Sequence, residues 1–405
     1  MGLSIRRFKS LGGERFALLV DESGMPLFYP SLYVTSHMRG ASRALNTILN
    51  ALNAIKALYA WQEGQKIDLE SRFSKGELLK SNEVHSLRDF MQQLLSRKAG
   101  GKVVSIKRRI KPVSTLSQYA RMSVVASYIG FLAGQLQPGS PNSSKEQERM
   151  VAQIKANRPK ISSKSIVDRD EKNLDDAVLD AIDAVLSPGS DNNPYHDYAV
   201  QVRNALMVNI LRVTGLRRGE LLNLKVDDID FSRNTLRVRR RPDSINDPRV
   251  NQPLAKTRER VIPLIPELIS KIYDYVMTLR NKVPGAKKHG YLFVTHKAGK
   301  TQGLPLSNPG FGRFMSKLKC AVESSKGLHA HALRHNWNYS FSKTCTGLKM
   351  TPEREEKLRS YLMGWEETSG TAAIYNRRHI KEQAGEAALD QQRKYFGGVK
   401  WGDIE

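Results

Sequence analysis

The stretch TGLRRGELLNLKVDDIDF, Thr214 to Phe231, decides how the second half of this chain is interpreted. It closes an apolar helical pattern that begins at Asp197, and a Gly-Leu turn then precedes Arg217. Arg217 is therefore expected at a rigid corner. A guanidinium suits a phosphodiester, because its planar fork donates two hydrogen bonds to nonbridging oxygens and keeps its charge. Taken alone, Arg217 and Arg218 are better explained as residues that solvate a helix start.

A second pattern, HALRHNW, begins at His331. On a helix a spacing of three places His331 and Arg334 on one face, where imidazole and guanidinium can contact the same small anion. His331 and His335 also have a spacing that suits zinc. No HExxH pattern and no carboxylate or cysteine cluster lies nearby in sequence, so we do not expect a metal.

The third pattern is YLMGWEETSGTAAIYNRRHI, in which Trp365 and Tyr375 bracket a short polar loop. Arg377, Arg378 and His379 follow the tyrosine, and their positive field would help to stabilise a phenolate. Tyr375 is thus a candidate nucleophile. The ordinary alternative is a half-buried tyrosine that only packs.

The charge of the chain indicates a polyanionic partner. Its 405 residues contain 65 Lys and Arg against 40 Asp and Glu, a formal charge of +25, spread along the whole length. An anionic membrane surface would also suit this charge, but no apolar run of about 18 residues is present. The first residues, MGLSIRRFKS, lack a secretory core, so we expect a protein of the cytoplasm or nucleoid. Cys320 and Cys345 are expected to be reduced and buried.

Periodicity predicts a mainly α protein with a small antiparallel β-sheet. A strand pair is expected over Phe16 to Val20 and Leu27 to Tyr33, followed by helices from about Thr35. The polar segment from Pro138 to Asp170 has the weakest apolar pattern and is the candidate linker. The domain boundary is therefore predicted between residues 140 and 195.

In their order and spacing, TGLRRGEL, a basic hairpin, HxLRH, and GW with a tyrosine ten residues after the tryptophan resemble the tyrosine recombinase, or phage integrase, family. The resemblance covers roughly residues 195–385. It implies a helical core-binding domain followed by an α+β catalytic domain. The expected organisation is a strand-containing extension at 1–34, the core-binding domain at 35–140, a linker and the start of the catalytic domain at 141–194, the catalytic domain at 195–385 and a tail at 386–405.

The resemblance also implies roles for single residues. Arg217 matches the first catalytic arginine, with Glu220 as a supporting acid. His331 and Arg334 match the family's histidine and second arginine, and His335 its frequent extra histidine. Trp365 stands where many members have histidine, and Tyr375 matches the nucleophile. LAKTRERVIPL offers Lys256 as the hairpin lysine, although Arg258 and Arg260 stand close. The hairpin is lengthened by RPDSINDPRVNQP, and the interval from Trp365 to Tyr375 is about one residue longer than usual.

The implied function is site-specific recombination of double-stranded DNA through a 3′-phosphotyrosine, without a cofactor, for integration, excision or transposition of a bacterial mobile element. A homotetramer on DNA and accessory proteins are implied partners. The alternatives are a catalytically silent DNA-binding regulator, or an enzyme resembling type IB topoisomerases or telomere resolvases.

Two basic runs are candidates for DNA binding, although solvated loops are the ordinary interpretation. They contain Lys107, Arg108, Arg109 and Lys111, and Arg239, Arg240 and Arg241. Residues 1–34 are interpreted either as an arm-type DNA-binding element or as strands that cover the next domain. The tail either docks on a neighbouring protomer or packs on its own domain.

Overall fold

The computed structural model describes residues 2–39, 44–93, 112–137, 141–160, 174–322, 325, 327–366 and 370–396. Within its helices, residues 141, 142, 371, 373–378, 381, 395 and 396 are described by their backbone alone. The chain forms two units, Met1–Ile166 and Val167–Glu405. The division falls inside the stretch that the sequence analysis interprets as the linker and the start of the catalytic domain.

The first unit begins with a β-hairpin in which β1 (Ser4–Lys9) pairs antiparallel with β2 (Arg15–Val20). The predicted strand over Leu27 to Tyr33 is wrong, because this segment forms helix α1 (Phe28–Tyr33), continued by a π-helical turn at Val34–Arg39. Short apolar runs of this kind do not distinguish a strand from a buried helix. Ala17 and Leu19 on β2 are fully buried, so the hairpin shares one core with the helices.

The remaining helices of the first unit carry most of its core. They are α2 (Leu45–Gln65), α3 (Leu69–Ser74), α4 (Ser81–Met91), α5 (Thr115–Leu136) and α6 (Pro141–Ala156). Apolar residues at three- and four-residue steps along α2 are buried, which confirms the predicted periodicity. Helix α6 lies where the linker is predicted. Its apolar residues are sparse, and Met150 and Ile154 nevertheless join the core.

The second unit is a helical domain around a small sheet. Its helices are α7 (Asp176–Leu186), α8 (Tyr198–Thr214), α9 (Arg218–Leu221), α10 (Pro266–Asp274), α11 (Asn308–Ala321), α12 (Ala330–Gly347), α13 (Pro352–Met363) and α14 (Thr371–Phe396). Its strands are β3 (Ile229–Asp230), β4 (Thr235–Val238) and β5 (Arg260–Pro263).

The sheet is antiparallel, with β4 in the centre, and Leu236 pairs with Ile229 on one side and with Ile262 on the other. These three side chains face the same core as α8 and α10. The observed architecture is therefore the predicted one, mainly α with small antiparallel sheets. Its sheet brings the start of β5 to the region after α8, where the candidate site lies.

The cysteines differ in their surroundings. Cys345 is buried as predicted, but Cys320 is exposed, so that prediction is wrong for Cys320. Helix α11 turns Phe311, Phe314 and Leu318 to the core, and Cys320 lies away from that face. In the described part of the chain, none of the helices combines the length and apolar character that crossing a bilayer requires.

Candidate active site

The corner that carries Arg217 forms where helix α8 ends. Gly215 adopts the left-handed conformation, with φ of 63°, and its N–H donates to the carbonyl of Leu211 at 3.0 Å. A Cβ at Gly215 would stand 2.8 Å from Cε of Met363. Arg217 follows in an extended conformation immediately before α9. The sequence TGLR therefore places this arginine between two helix ends whose backbone is fixed.

Glu220 lies beneath this corner and is almost fully buried. Its carboxylate accepts hydrogen bonds from the backbone N–H of Arg217 at 3.0 Å, the hydroxyl of Thr257 at 2.5 Å and Nη2 of Arg260 at 3.0 Å. Burial opposes ionisation, but the charge of Arg260 and the hydrogen bonds from Arg260 and Thr257 outweigh it and hold the pKa of Glu220 below its ordinary value. Glu220 is therefore an anchor for three segments.

The guanidinium of Arg217 is not hydrogen-bonded to this carboxylate. Its Nη1 lies 3.6 Å from Oε1 of Glu220, an ion-pair distance, and has no hydrogen-bond partner among the described residues. The side chain is 29% exposed. Because the lone pairs of Glu220 are taken up by other donors, the outer part of the Arg217 guanidinium remains available to a bound anion.

Arg334 lies on α12 and is fully buried. Its Nη1 donates to the carbonyl of Gly215 at 2.6 Å, and its Nη2 donates to the carbonyl of Met363 at 3.3 Å. Its Cζ lies 5.1 Å from the ring centre of Trp365, which is itself buried. Trp365 follows Gly364, and its backbone N–H donates to the carbonyl of Ser360 at 2.9 Å. Arg334 therefore joins the Arg217 corner to the end of α13.

The histidines of the HALRH motif lie at the start of α12. The rings of His331 and His335 are 4.6 Å apart between centres and meet edge to face. His331 is exposed at the surface, but desolvation of the part of the ring that packs on the protein, and then the positive fields of His335 and Arg334, lower its pKa to about 4. The imidazole is therefore neutral near pH 7. Arg217 and His329 contribute to the same field.

Lys256 lies in the loop that leads into β5, and its side chain is exposed. The next residue, Thr257, is buried and donates its hydroxyl to Glu220. Beyond it, the N–H of Arg258 donates to the carbonyl of Gly364 at 3.0 Å. The backbone on the C-terminal side of Lys256 is thus attached both to the Glu220 anchor and to the turn before Trp365.

Tyr375 lies on the backbone of α14, in its second turn, and its side chain lies outside the described residues, as do those of Arg377 and Arg378. The helix packs against α12 a few residues later. Nε2 of His379 is 2.8 Å from the hydroxyl of Thr346, and the hydroxyl of Tyr339 donates to Glu382 at 2.5 Å. This part of α14 therefore packs on its own domain, while residues 384–394 are exposed.

The basic residues predicted to contact DNA have different surroundings. Arg240 is exposed, whereas both terminal nitrogens of Arg241 donate to Asp228, at 2.9 and 2.5 Å. Nε of Arg239 lies 3.6 Å from the same carboxylate. Arg240, and in part Arg239, whose side chain is 42% exposed, are therefore directed to solvent. Lys107, Arg108, Arg109 and Lys111 lie outside the described residues.

Residues 192–382 match the family model described as the phage integrase family. This part of the chain is similar to that family. The integrase-family region contains every site residue predicted from the sequence between Arg217 and Tyr375. The patterns that carry the family resemblance, TGLRRGEL, HALRH and GW, lie around Glu220 and Arg334 in the folded chain.

Named relatives match the chain at low identity. Tyrosine recombinase XerD of Halalkalibacterium halodurans is 27% identical over 161 residues, which are 40% of this chain and 46% of that protein. Tyrosine recombinase XerC of Syntrophus aciditrophicus is 23% identical over 213 residues, 48% of this chain and 59% of that protein. The chain thus spans about half the length of the curated relatives it matches.

Solved structures of similar proteins include a lambda integrase dimer bound to a COC′ core site. Its TM-score is 0.48 at 15% identity, and the match covers 93% of this chain and 79% of that chain. A XerH site-specific recombinase bound to a palindromic difH substrate has a TM-score of 0.45 at 15% identity, with 89% and 93% covered.

Sequence reasoning missed two residues of the integrase-family region that the site depends on, Thr257 and Arg260. Both are buried and both contact Glu220. The pattern KTRER placed Arg260 near Lys256, but a charged residue in a basic hairpin is usually solvated, and nothing in the pattern indicated burial. In the described ranges, no group of three His, Cys, Asp or Glu side chains is arranged to hold a metal ion.

Proposed function

We propose that the chain is a site-specific DNA recombinase that cleaves and rejoins strands through a covalent bond between Tyr375 and a DNA 3′-phosphate. The observation that carries the proposal is the convergence of positive charge at one corner. Arg334 donates to the carbonyl of Gly215, two residues before Arg217, and the rings of His331 and His335 lie 4.6 Å apart on the helix that carries Arg334. Glu220, the carboxylate among them, is already bonded to Arg260 and Thr257. A phosphodiester is an anion that the guanidinium groups of this corner are suited to bind.

Two fixed arginines would lower the main energy barrier of the reaction by neutralising negative charge. A phosphodiester repels nucleophiles because it is negatively charged, and the pentacoordinate transition state carries still more charge on its oxygens. Arg334 is held by two carbonyls and a tryptophan face, so its positive charge has a fixed position beside the Arg217 corner. Arg217 would bind the same phosphate from the opposite side of the corner. Trp365 would donate its indole N–H to a phosphate oxygen and form one wall of the pocket.

The proposed step forms one bond and breaks another. The hydroxyl oxygen of Tyr375 attacks the scissile phosphorus, and the bond from phosphorus to the 5′-oxygen breaks. His331, neutral near pH 7, accepts the tyrosine proton. The ammonium of Lys256 donates a proton to the departing 5′-oxygen. The products are a 3′-phosphotyrosine and a free 5′-hydroxyl, and attack by a 5′-hydroxyl of a partner strand reverses the step.

The biological setting is proposed on the resemblance alone. Double-stranded recombination sites, a homotetramer on DNA and accessory proteins are its expected partners. Integration, excision or transposition of a bacterial mobile element, acting on DNA of the nucleoid, is the proposed role. The basic residues Arg239 and Arg240 would contact backbone phosphates.

The first experiment traps the covalent intermediate. The full chain is incubated with sheared DNA spanning its gene and flanks, and protein-linked fragments recovered under denaturing conditions are sequenced to map the cleavage point. A duplex nicked next to that point then traps the adduct in EDTA. The matched control for Tyr375→Phe is Tyr361→Phe, which removes the same hydroxyl from an exposed tyrosine on α13.

We expect an EDTA-resistant adduct with wild type and Tyr361→Phe and none with Tyr375→Phe. An adduct of normal yield with Tyr375→Phe would overturn the assignment of the nucleophile. Specific binding without any adduct in all three proteins would favour the silent regulator.

A further inference from the structure

Arg260 is a buried arginine that contacts three separate parts of the candidate site. It lies at the first position of β5, and its side chain is 1% exposed. Its Nε donates to the carbonyl of Leu362 at 2.6 Å, its Nη1 to the hydroxyl of Thr257 at 3.0 Å and its Nη2 to Glu220 at 3.0 Å. One planar group therefore joins the end of α13, the loop before β5 and the start of α9.

We propose that Arg260 is a positioning residue for Lys256, an inference that rests on the function proposed above. Arg260 does not reach the reacting atoms. It fixes the hydroxyl of Thr257, and Thr257 directly follows Lys256 in the chain. The loop is exposed at Lys256 itself and at Arg258 and Glu259, so Thr257 is the buried point by which this exposed stretch is held.

The charge of Arg260 is as important as its shape. Thr257 donates to Oε1 of Glu220 and accepts from Nη1 of Arg260, while Nη2 of Arg260 neutralises the same carboxylate. Without Arg260, a buried carboxylate would be left without its closest cation, and Arg217, whose Nη1 is 3.6 Å away, is the next one. Thr257 would lose one of its two partners, and the Lys256 loop would lose its fixed position.

A general acid acts only at hydrogen-bond distance from the leaving oxygen. A displacement of about 1 Å can reduce the rate roughly 100-fold, because the reaction depends on a positioned donor. The proposal therefore predicts a defect confined to protonation of the leaving group. A 5′-thiolate leaves without a proton, since a thiol is far more acidic than an alcohol. A duplex with sulfur in place of the bridging 5′-oxygen isolates this step.

The variants are Arg260→Met, which keeps bulk without charge, and Arg260→Lys, which keeps charge without the planar fork. Arg359→Met is the matched control. Arg359 is an equally buried arginine of the same unit that bonds a carboxylate, a hydroxyl and a carbonyl, those of Glu355, Ser342 and Asn338. Lys256→Ala gives the cleavage rate expected when the general acid is lost completely. Single-turnover cleavage is normalised to folded protein.

With the 5′-oxygen duplex we expect Arg260→Met to cleave at least about tenfold more slowly than wild type, and Arg260→Lys to fall between them. With the 5′-sulfur duplex, Arg260→Met and Lys256→Ala should both return to within about threefold of wild type. Arg359→Met should slow neither duplex selectively. An equal loss on both duplexes in Arg260→Met would overturn the proposal, because it would indicate general damage.

A second measurement needs no DNA. Amide hydrogen exchange of the full chain reports the N–H of Arg258, which is bonded to Gly364. We expect faster exchange over residues 254–259 in Arg260→Met and unchanged exchange there in Arg359→Met. Unchanged exchange in Arg260→Met would overturn the positioning role. If wild type cleaves neither duplex, the proposed function fails, and the exchange result still decides whether Arg260 holds the loop.

Discussion

The guanidinium carbon of Arg334 lies 5.1 Å from the centre of the Trp365 ring, and both side chains are buried. A cation over a tryptophan face is stabilised by about 0.5–2 kcal/mol, more when water is excluded. The same guanidinium donates to the carbonyls of Gly215 and Met363. Trp365 therefore forms one wall of the space in which Arg334 is fixed.

Replacement of Trp365 tests this relationship. We expect Trp365→Ala to lower the free energy of unfolding by roughly 3–5 kcal/mol, because a large buried ring is lost. Cleavage of the nicked duplex should slow as Arg334 gains freedom. Trp365→Phe keeps an aromatic face and should retain most of the stability. Urea unfolding and single-turnover cleavage measure both effects. Wild-type cleavage by folded Trp365→Ala would contradict the role given to the ring.

Much of this arrangement could be predicted from the sequence, because the spacing within HALRH places His331 and Arg334 on one helix face whatever the fold. The contacts that bury Arg334 could not. They come from Gly215 and Met363, which lie more than a hundred residues before it and about thirty after it in the chain. A pattern in one segment carries no information on which distant carbonyls will face it.

The surroundings of Arg240 and Arg241 predict different effects on DNA binding. Arg240 is exposed, so Arg240→Ala should weaken binding of any duplex and reduce the slope of log K against log salt by about 1. Arg241 is bonded to the buried Asp228, so Arg241→Ala should instead lower the free energy of unfolding by about 1–3 kcal/mol. Fluorescence anisotropy over a salt series and urea unfolding separate the two.

The control for this comparison is Arg393→Ala, on the exposed far part of α14. It removes the same charge from a surface that the DNA-binding hypothesis does not include, so its salt slope should match wild type. Equal slopes for Arg240→Ala and wild type would show that Arg240 is only solvated.

Gly364 lies in the turn before Trp365, in close contact with the loop that carries Lys256. Its φ is 65°, and a Cβ there would lie 2.9 Å from the carbonyl oxygen of Arg258 and from Cβ of Thr257. We expect Gly364→Ala to cost about 1–3 kcal/mol of stability and to slow cleavage, because it forces the Lys256 loop away from the turn before Trp365. Thermal unfolding and single-turnover cleavage provide the measurements.

Gly347→Ala is the matched control for Gly364→Ala, since an added Cβ at Gly347 has no heavy atom within 4 Å. It lies at the end of α12, where alanine is favoured over glycine by up to about 1 kcal/mol. Its melting temperature should equal or exceed that of wild type. If Gly364→Ala is as stable and active as Gly347→Ala, the Lys256 loop and the turn before Trp365 can move apart without loss of stability or cleavage.

The strands near the N-terminus show where local patterns fail. Leu27 to Tyr33 is apolar and aromatic, which favours a strand, yet it folds as a helix because Tyr33 and Val34 pack into the helical core of the first unit. Helix α6 presents the converse case, since Met150 and Ile154, with Val151 beside them, attach its polar sequence to the core. In both segments, tertiary burial outweighs local preference, and a single sequence does not reveal burial.

Stability near pH 5 should depend on His296, a buried residue outside the site. Its Nε2 lies 3.0 Å from the hydroxyl of Tyr275, and burial, followed by the charge of Arg203, lowers its pKa to about 4. Between the ordinary pKa near 6.5 and about 4, the unfolded chain binds a proton that the folded chain does not. The free energy of unfolding should therefore fall as pH decreases through this range, by roughly 2 kcal/mol at about pH 5.

His296→Gln should remove that part of the pH dependence while keeping a polar group beside Tyr275. Comparing urea unfolding of both proteins at about pH 7 and about pH 5 cancels the cost of the substitution itself, since only the difference between the two pH values is used. An identical decrease in both proteins would mean that other groups account for the loss of stability in acid.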